Sequence, residues 1–414
     1  MGAIDELRAV DLDTENIVFQ PILEITTIHV NYTQHLQQFL QTLYYGKGSL
    51  PVVLRHYVAL MAASRHHCQF LIDLFALEFE RHGGKVQWLK GLGFVDDPRI
   101  RELDELNLFL CHQPWRVNGD WLFDLQRKSR WTLSDLVNAA VVMSQTHCLC
   151  SMVHAFGIST LSPTAKSDTS RFDWAQRDKE NKAAQHQSEV EELLRKMDLI
   201  KSSSESTDAA AATRHFMAIA NDSAEYSLGS DSPDRSDQPC FSFQPSFVYV
   251  DFAHRSDGTR TFKYHEFPWD TVAIPIFEEH IAELAYPLDK MVCETQTMTY
   301  KFMGGFDDVD TTAFRTAIWN YIQALFGIRH DDYDYSSVNQ LLSRDLKTFI
   351  KNLVVTPHRL PADLRTSVMS DFKSSEKVHV VLMITEARLQ ATLLWLSRAM
   401  TNYFVAHNNR DELD

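Results

Sequence analysis

Little in this chain points to export, membrane insertion or metal chemistry. Its six cysteines, Cys68, Cys111, Cys148, Cys150, Cys240 and Cys293, show neither paired nor metal-ligand spacing. That pattern suits a reducing compartment and gives no reason to expect a metal or another cofactor. His147 lies beside Cys148 and Cys150, but residues one and three apart on one helix cannot all converge on one ion. The opening residues, Met1-Gly2-Ala3-Ile4-Asp5-Glu6, lack the basic and apolar regions of a signal peptide, and Glu6 stands where a myristoylation motif needs Ser or Thr. No apolar run of roughly 18 residues stands out as a bilayer span. Positive charge is also scarce, with 40 basic against 55 acidic residues and a formal net charge of -15. That balance argues against nonspecific binding to nucleic acid or to anionic membranes. A soluble cytoplasmic protein is expected, with nuclear entry open.

Helical patterns dominate what is present. From Pro51 to Gly84 the apolar residues Leu54, Tyr57, Met61, Cys68, Leu71, Ile72 and Phe75 recur at close to helical period. Pro51 suits the first turn and Gly83-Gly84 ends the run. A second long helix begins at Thr132, where Thr132 caps and Asp135 answers in a capping box. Further helices are predicted near 275–298, 311–326, 336–355 and 376–405. The 414 residues exceed a comfortable single core, so two domains are expected. Between them, from Pro163 to about Gln238, serine, alanine and charge replace apolar periodicity. Such a stretch buries too little apolar surface to offset the entropy of ordering, and it reads as a disordered linker with a transient helix from Glu189 to Ile200. The expected division is an N-terminal segment 1–50, a helical domain 51–162, the linker 163–240 and a second helical domain 241–414.

Three features carry candidate chemistry. Cys68 follows Arg65 by about one helical turn, so a guanidinium could favour its thiolate; the alternative is a buried structural cysteine. Three separate segments around Thr299-Tyr300, Thr311 to Arg315, and Glu376 could build a pocket for a free amino acid. Arg315 would take the carboxylate and Glu376 the ammonium; the alternative is an interhelical salt bridge. After a helix that ends at Gly327 comes Asp331-Asp332-Tyr333-Asp334-Tyr335. It is too aromatic for a solvated loop and too acidic for a core, which suits a polar-rimmed interface.

These same motifs resemble the sestrins, stress-induced regulators of TOR complex 1. The resemblance rests on Leu54 to Cys68, on Ala317 to Leu342 and on the pocket segments, and covers about 50–160 and 260–405. It implies an all-α protein of two helical subdomains similar to AhpD-type alkylhydroperoxidases, joined by the linker. It implies negative regulation of TOR complex 1 through the GATOR complex (its GATOR2 subcomplex), contacted by the acidic-aromatic loop and relieved by leucine. The leucine site would comprise Thr299, Tyr300, Thr311, Arg315 and Glu376, with Met369 in place of a tryptophan at the floor and Phe302 in place of a latch threonine. Peroxidase activity through Cys68 is the alternative. Against it, Phe70 and Phe75 stand where the family has tyrosine and histidine, and Leu71 where the bacterial enzymes have a second cysteine. A third possibility keeps the loop and dispenses with the ligand.

Overall fold

The computed structural model describes residues 18–158, 187–202, 209–220, 239–255, 261–299 and 301–411. Among them are fifteen helices and only four two-residue strands, as the helical periodicity predicts. The N-terminal half comprises α1 (Gln20–Thr26), α2 (Val30–Tyr45), α3 (Val52–Arg65), α4 (Gln69–Arg81), α5 (Pro98–His112), α6 (Gly119–Ser129) and α7 (Leu133–Phe156). The middle of the chain supplies α8 (Gln187–Ser202) and α9 (Ala209–Ala220). The C-terminal half comprises α10 (Ile274–Thr295), α11 (Thr312–Leu325), α12 (Ser336–Leu341), α13 (Arg344–Val355), α14 (Ala362–Ser367) and α15 (Ser374–Asp411).

Local sequence explains most boundaries. Thr132 Oγ1 accepts from the Asp135 N–H at 3.1 Å while Asp135 accepts from the Thr132 N–H at 3.1 Å, completing the predicted capping box of α7. The helix before Gly327 stops at Leu325, and Gly327 takes φ 81°. The chain then leaves in β4 (Ile328–Arg329), which pairs in parallel with β1 (Phe262–Lys263). A hairpin of β2 (Phe302–Met303) and β3 (Phe306–Asp307) turns through Gly304 and Gly305, both at positive φ as a tight hairpin turn requires.

Three expectations change. The run from Pro51 to Gly84 is not one helix: it breaks at His66–Cys68, with His67 at φ 47° and the Cys68 N–H returning to Ala63 O at 3.2 Å. The predicted helix near 336–355 is likewise two, α12 and α13. Within the expected linker, α8 and α9 are packed helices. They bury Val190 and Met197, and Phe216 and Ile219, against α11 and α12. Their apolar stripes are short, but one face each is enough when a neighbouring surface is ready to receive it. The rest of 163–240 that shows no helix lies mostly outside the described residues.

The core centres on α7 against α15. Both are long and apolar enough to cross a bilayer by length and composition, contrary to the expectation that no such run exists, and both apolar windows are wholly buried inside the fold. The halves are further tied by α2, which packs on α10 rather than only on its own half. One carboxyl is sealed in this core. Glu386 of α15 is fully buried and accepts a 2.6 Å hydrogen bond from the Tyr32 hydroxyl of α2. Burial pushes Glu386 up to about 7, and the Tyr32 hydrogen bond opposes only part of that shift.

Because the folded-state value of Glu386 is raised, its contribution to stability is fully present below the unfolded carboxyl value. It is lost as pH rises through about 7. Chemical denaturation from pH 4.5 to 8 should therefore show Glu386→Gln free of this loss. At pH 8 the variant should be more stable than the parent by on the order of 2–3 kcal/mol. Identical pH profiles for the two proteins would refute the assignment.

Candidate functional site

Cys68 sits at the N-cap of α4, where the first N–H groups of the helix are unpaired and favour an anion. It is fully buried. Burial pushes the thiol up, but hydrogen bonds from Cys150 and His154, together with the Leu71 N–H, outweigh it, so the net shift is downward. Its partner Cys150 is pushed up by burial. Arg65 does not act as the spacing suggested. It donates to Gln244 O at 3.2 Å, to Phe247 O and to His112 Nε2 at 3.0 Å, and so is spent elsewhere. Cys150 and His154 were missed by the sequence reading, although their i,i+4 spacing on α7 was a readable signal that they share a helix face. Phe75 packs its ring 5.1 Å from Tyr44 in an aromatic cluster. Chemically this is a polarised thiol without an open path to solvent.

The second site lies under the β2–β3 hairpin. Thr299, Thr311, Arg315 and Glu376 come from three segments and line one cavity with Phe302, Met303, Phe314, Phe372 and His379. Each polar group already has a partner. Arg315 donates from Nε to Thr311 Oγ1 and from Nη2 to Thr312 Oγ1, both at 3.0 Å. Glu376 accepts from the Gly304 N–H at 2.9 Å and, from the first turn of α15, reaches back to the Lys373 N–H at 2.9 Å, the half of a capping box that a glutamate supplies. His379 donates from Nε2 to Thr295 O at 2.6 Å, which leaves Nδ1 to accept from the Thr299 hydroxyl at 2.5 Å. Burial drives His379 down to about 3, so it is neutral. The cavity measures only about 10 Å³, with the Phe314 and Phe372 rings 5.8 Å apart. That space holds at most one water. Met369 does not line it: Met369 is half-buried in the turn before α15 at φ 58°. Tyr300 lies outside the described residues. On the other side of Arg315 a wider cleft of about 560 Å³ opens between Thr312, Trp319, Gln390, Tyr264 and Asp332.

The acidic-aromatic loop borders that cleft. Asp331 is held by two cations, Lys263 at 3.0 Å and Arg329 at 3.1 Å, with the His265 ring at 3.4 Å. Asp332 is exposed and makes no ion pair among the described residues. Asp334 caps Ser336 and meets His215 of α9 at 3.0 Å. Tyr335 departs from the expectation of an exposed contact residue. It is buried, its hydroxyl accepts from the His330 N–H at 2.9 Å, and its ring lies 5.1 Å from Phe216 of α9. Tyr333 is half-buried, with its ring edge-on to Tyr335 at 5.1 Å. The loop is therefore anchored by its tyrosines, and it offers Asp332 outward.

The chain matches the family described as PA26 p53-induced protein (sestrin) over residues 8–404. It is 34% identical to Sestrin-1 of Mus musculus over 409 residues, covering 92% of this chain and 83% of the relative. It is 32% identical to Sestrin-2 of Homo sapiens over 397 residues, covering 91% and 82%. It is 29% identical to the Sestrin homolog of Drosophila melanogaster over 479 residues, covering 97% and 96%.

Cys240 and Cys293 are exposed and the other four thiols buried. Titration of the native protein with an aromatic disulfide reagent should modify two thiols rapidly and the remaining four only on unfolding. Reaction of a third fast thiol that disappears in Cys68→Ser would show that the α4 cap is reachable from solvent.

Proposed function

The chain belongs to the sestrin family, and from that premise we propose that it is a cytoplasmic negative regulator of TOR complex 1, acting through the GATOR complex, with leucine as the releasing ligand. The observation that carries this reading is the gathering of Arg315, Glu376, Thr299 and Thr311 under one hairpin, although they are far apart in sequence. A cation and an anion lining one cavity match the carboxylate and ammonium of an amino acid. The hairpin that covers them is held by the Gly304 N–H to Glu376 hydrogen bond. A ligand ammonium would compete for that same carboxylate, so occupation of the site and opening of the hairpin are one event. Asp332 beside the neighbouring cleft is the anion offered to the partner, and Asp331 shapes the loop around it.

The cavity volume favours a second reading, in which the protein binds GATOR without a ligand. Phe314 and Phe372 occupy the space that an aliphatic side chain would need. Calorimetry with leucine separates the two. Saturable binding that is lost in Glu376→Gln supports the ligand-gated form. No heat from the parent chain, together with intact GATOR co-precipitation, supports the ligand-independent form. Loss of GATOR co-precipitation altogether overturns both.

The loop gives a sharper expectation. Asp332→Ala should remove GATOR co-precipitation with an unchanged melting curve, because the side chain is exposed and bears no internal ion pair. At a desolvated interface such a charge carries roughly 2–5 kcal/mol. Asp331→Ala should lower binding and also the melting temperature, since it strands the Lys263 and Arg329 cations around one site. Retained co-precipitation by Asp332→Ala would show that the loop is only a connector.

A further inference from the structure

A cluster at the end of the α3–α4 pair away from Cys68, packed on the Tyr44–Phe75 rings, has the composition of a metal centre. His56 lies on α3, Glu78 on α4, and His82 at the C-cap of α4. Glu78 and His82 are four apart and so share a face, the spacing by which one helix presents two ligands to one ion. His56 comes from the neighbouring helix, and one ligand atom of each of the three residues lies within 4.8 Å of the other two.

Three observations separate this cluster from an ordinary polar contact. First, His56 is fully buried and neither ring nitrogen has a hydrogen-bond partner among the described residues. A buried polar group without a partner is costly and calls for a reason. Burial, with His82 and Arg55 adding to it, holds the His56 imidazolium value down at about 3, so the ring is neutral and both lone-pair options are open. Second, His82 Nδ1 lies 3.9 Å from Glu78 Oε2 and donates to the Glu78 backbone carbonyl at 2.9 Å, so the ring is already held beside the carboxylate and ligation through Nδ1 exchanges one carbonyl hydrogen bond for the ion. Third, the carboxylate of Glu78 is already oriented from outside. Tyr45 Oη donates to Oε2 at 3.1 Å and Arg81 Nη1 to Oε1 at 2.8 Å, the outer partners that a ligating carboxylate keeps. Arg55 is not aimed at the cluster. Its Nε donates to Leu50 O at 2.7 Å and its Nη1 to Leu43 O and Gly46 O at 3.0 and 2.9 Å. The other triad of possible ligands, His66, Cys111 and His147, fails this test, because Arg388 Nη2 already bonds His66 Nε2 at 3.1 Å.

We propose that His56, Glu78 and His82 form a three-ligand site for a zinc-class divalent ion, with the fourth position open to solvent past His82. Two imidazoles and one carboxylate are a borderline nitrogen-oxygen set, which suits zinc and neighbouring first-row ions rather than calcium or magnesium. Bonds of about 2.0–2.1 Å in a tetrahedron put donor atoms about 3.4 Å apart, so the cluster must close by roughly 1.4 Å. His82 has the freedom to do this: it follows the last turn of α4 and its side chain is 33% exposed, against 4% for Glu78. A bound ion would clip α3 to α4 at the end of the pair opposite the Cys68 turn, and would supply His56 with its missing partner.

The test uses the full chain, stripped with a chelator and titrated with zinc by calorimetry and with cobalt(II) by visible absorption. The expected result is one saturable zinc equivalent and a cobalt spectrum of tetrahedral intensity. His82→Gln and Glu78→Gln should each weaken zinc binding at least tenfold, while their melts in chelator match the parent. Should neither variant fold, the parent decides alone: zinc is expected to protect His82 from carbethoxylation, read by mass spectrometry. Absence of a saturable equivalent, variants that bind zinc like the parent, or an unprotected His82 would each overturn the proposal.

Discussion

A single buried guanidinium organises the centre of this molecule. Arg388 lies in the middle of α15 and is 1% exposed. Removing such a charge from water is expensive unless every donor finds an acceptor. Arg388 finds them on other elements: His147 O and Ser151 Oγ on α7, Cys111 O on α5, and His66 Nε2 in the turn after α3. The two long helices therefore cannot slide or rotate against each other without stranding that charge. The same cation has an electrostatic consequence. His66 and His147 are lowered by burial and then by Arg388, so both rings stay neutral, and His66 Nε2 accepts from Arg388. A site rich in histidine and cysteine is thereby turned from a metal cluster into a structural junction.

With the centre fixed, the C-terminal half is closed from outside by the middle of the chain. Val190 of α8 lies against Gly304, where a Cβ would come within 2.6 Å of Val190 Cγ2. Lys201 meets Asp310 at 3.0 Å, and α9 sets His215 on Asp334 and Phe216 on Tyr335. Gly304 belongs to the hairpin over Glu376, and Asp334 and Tyr335 belong to the acidic-aromatic loop. The cavity lid and the loop thus share one cover. A displacement of the hairpin at Gly304 would meet Val190 of α8.

Much of the architecture was legible along the chain. Apolar period gave the helices, Thr132 with Asp135 gave the start of α7, and Gly327 gave the end of α11, because caps and periods are local and each residue's conformational preference acts on its neighbours alone. The break at His66–Cys68 was not legible, since nothing local opposes helix there. It is imposed by the packing of α3 and α4 side by side, and it moves Cys68 from mid-helix to an N-cap. The candidate clamp was half legible. Arg315 and Glu376 were found by chemistry and resemblance, but the closure of their cavity depends on how Phe314 and Phe372 meet across two elements.

The residue types and their order determined that this chain is helical, that it belongs with the sestrins, and which side chains carry charge into its interior. Only the tertiary structure decided what those charges face. Arg65 was read as the neighbour of Cys68 and instead serves distant carbonyls, while Cys150 and His154, some eighty residues on, take that place. Tyr335 was read as surface and is core, because α9 supplies a phenylalanine to cover it. His56 and His82 gain a carboxylate between them only when α3 lies along α4. Spacing along a chain fixes direction on one helix, but the partner of a side chain is set by which other helix fills the space in front of it. That depends on packing the whole core without voids.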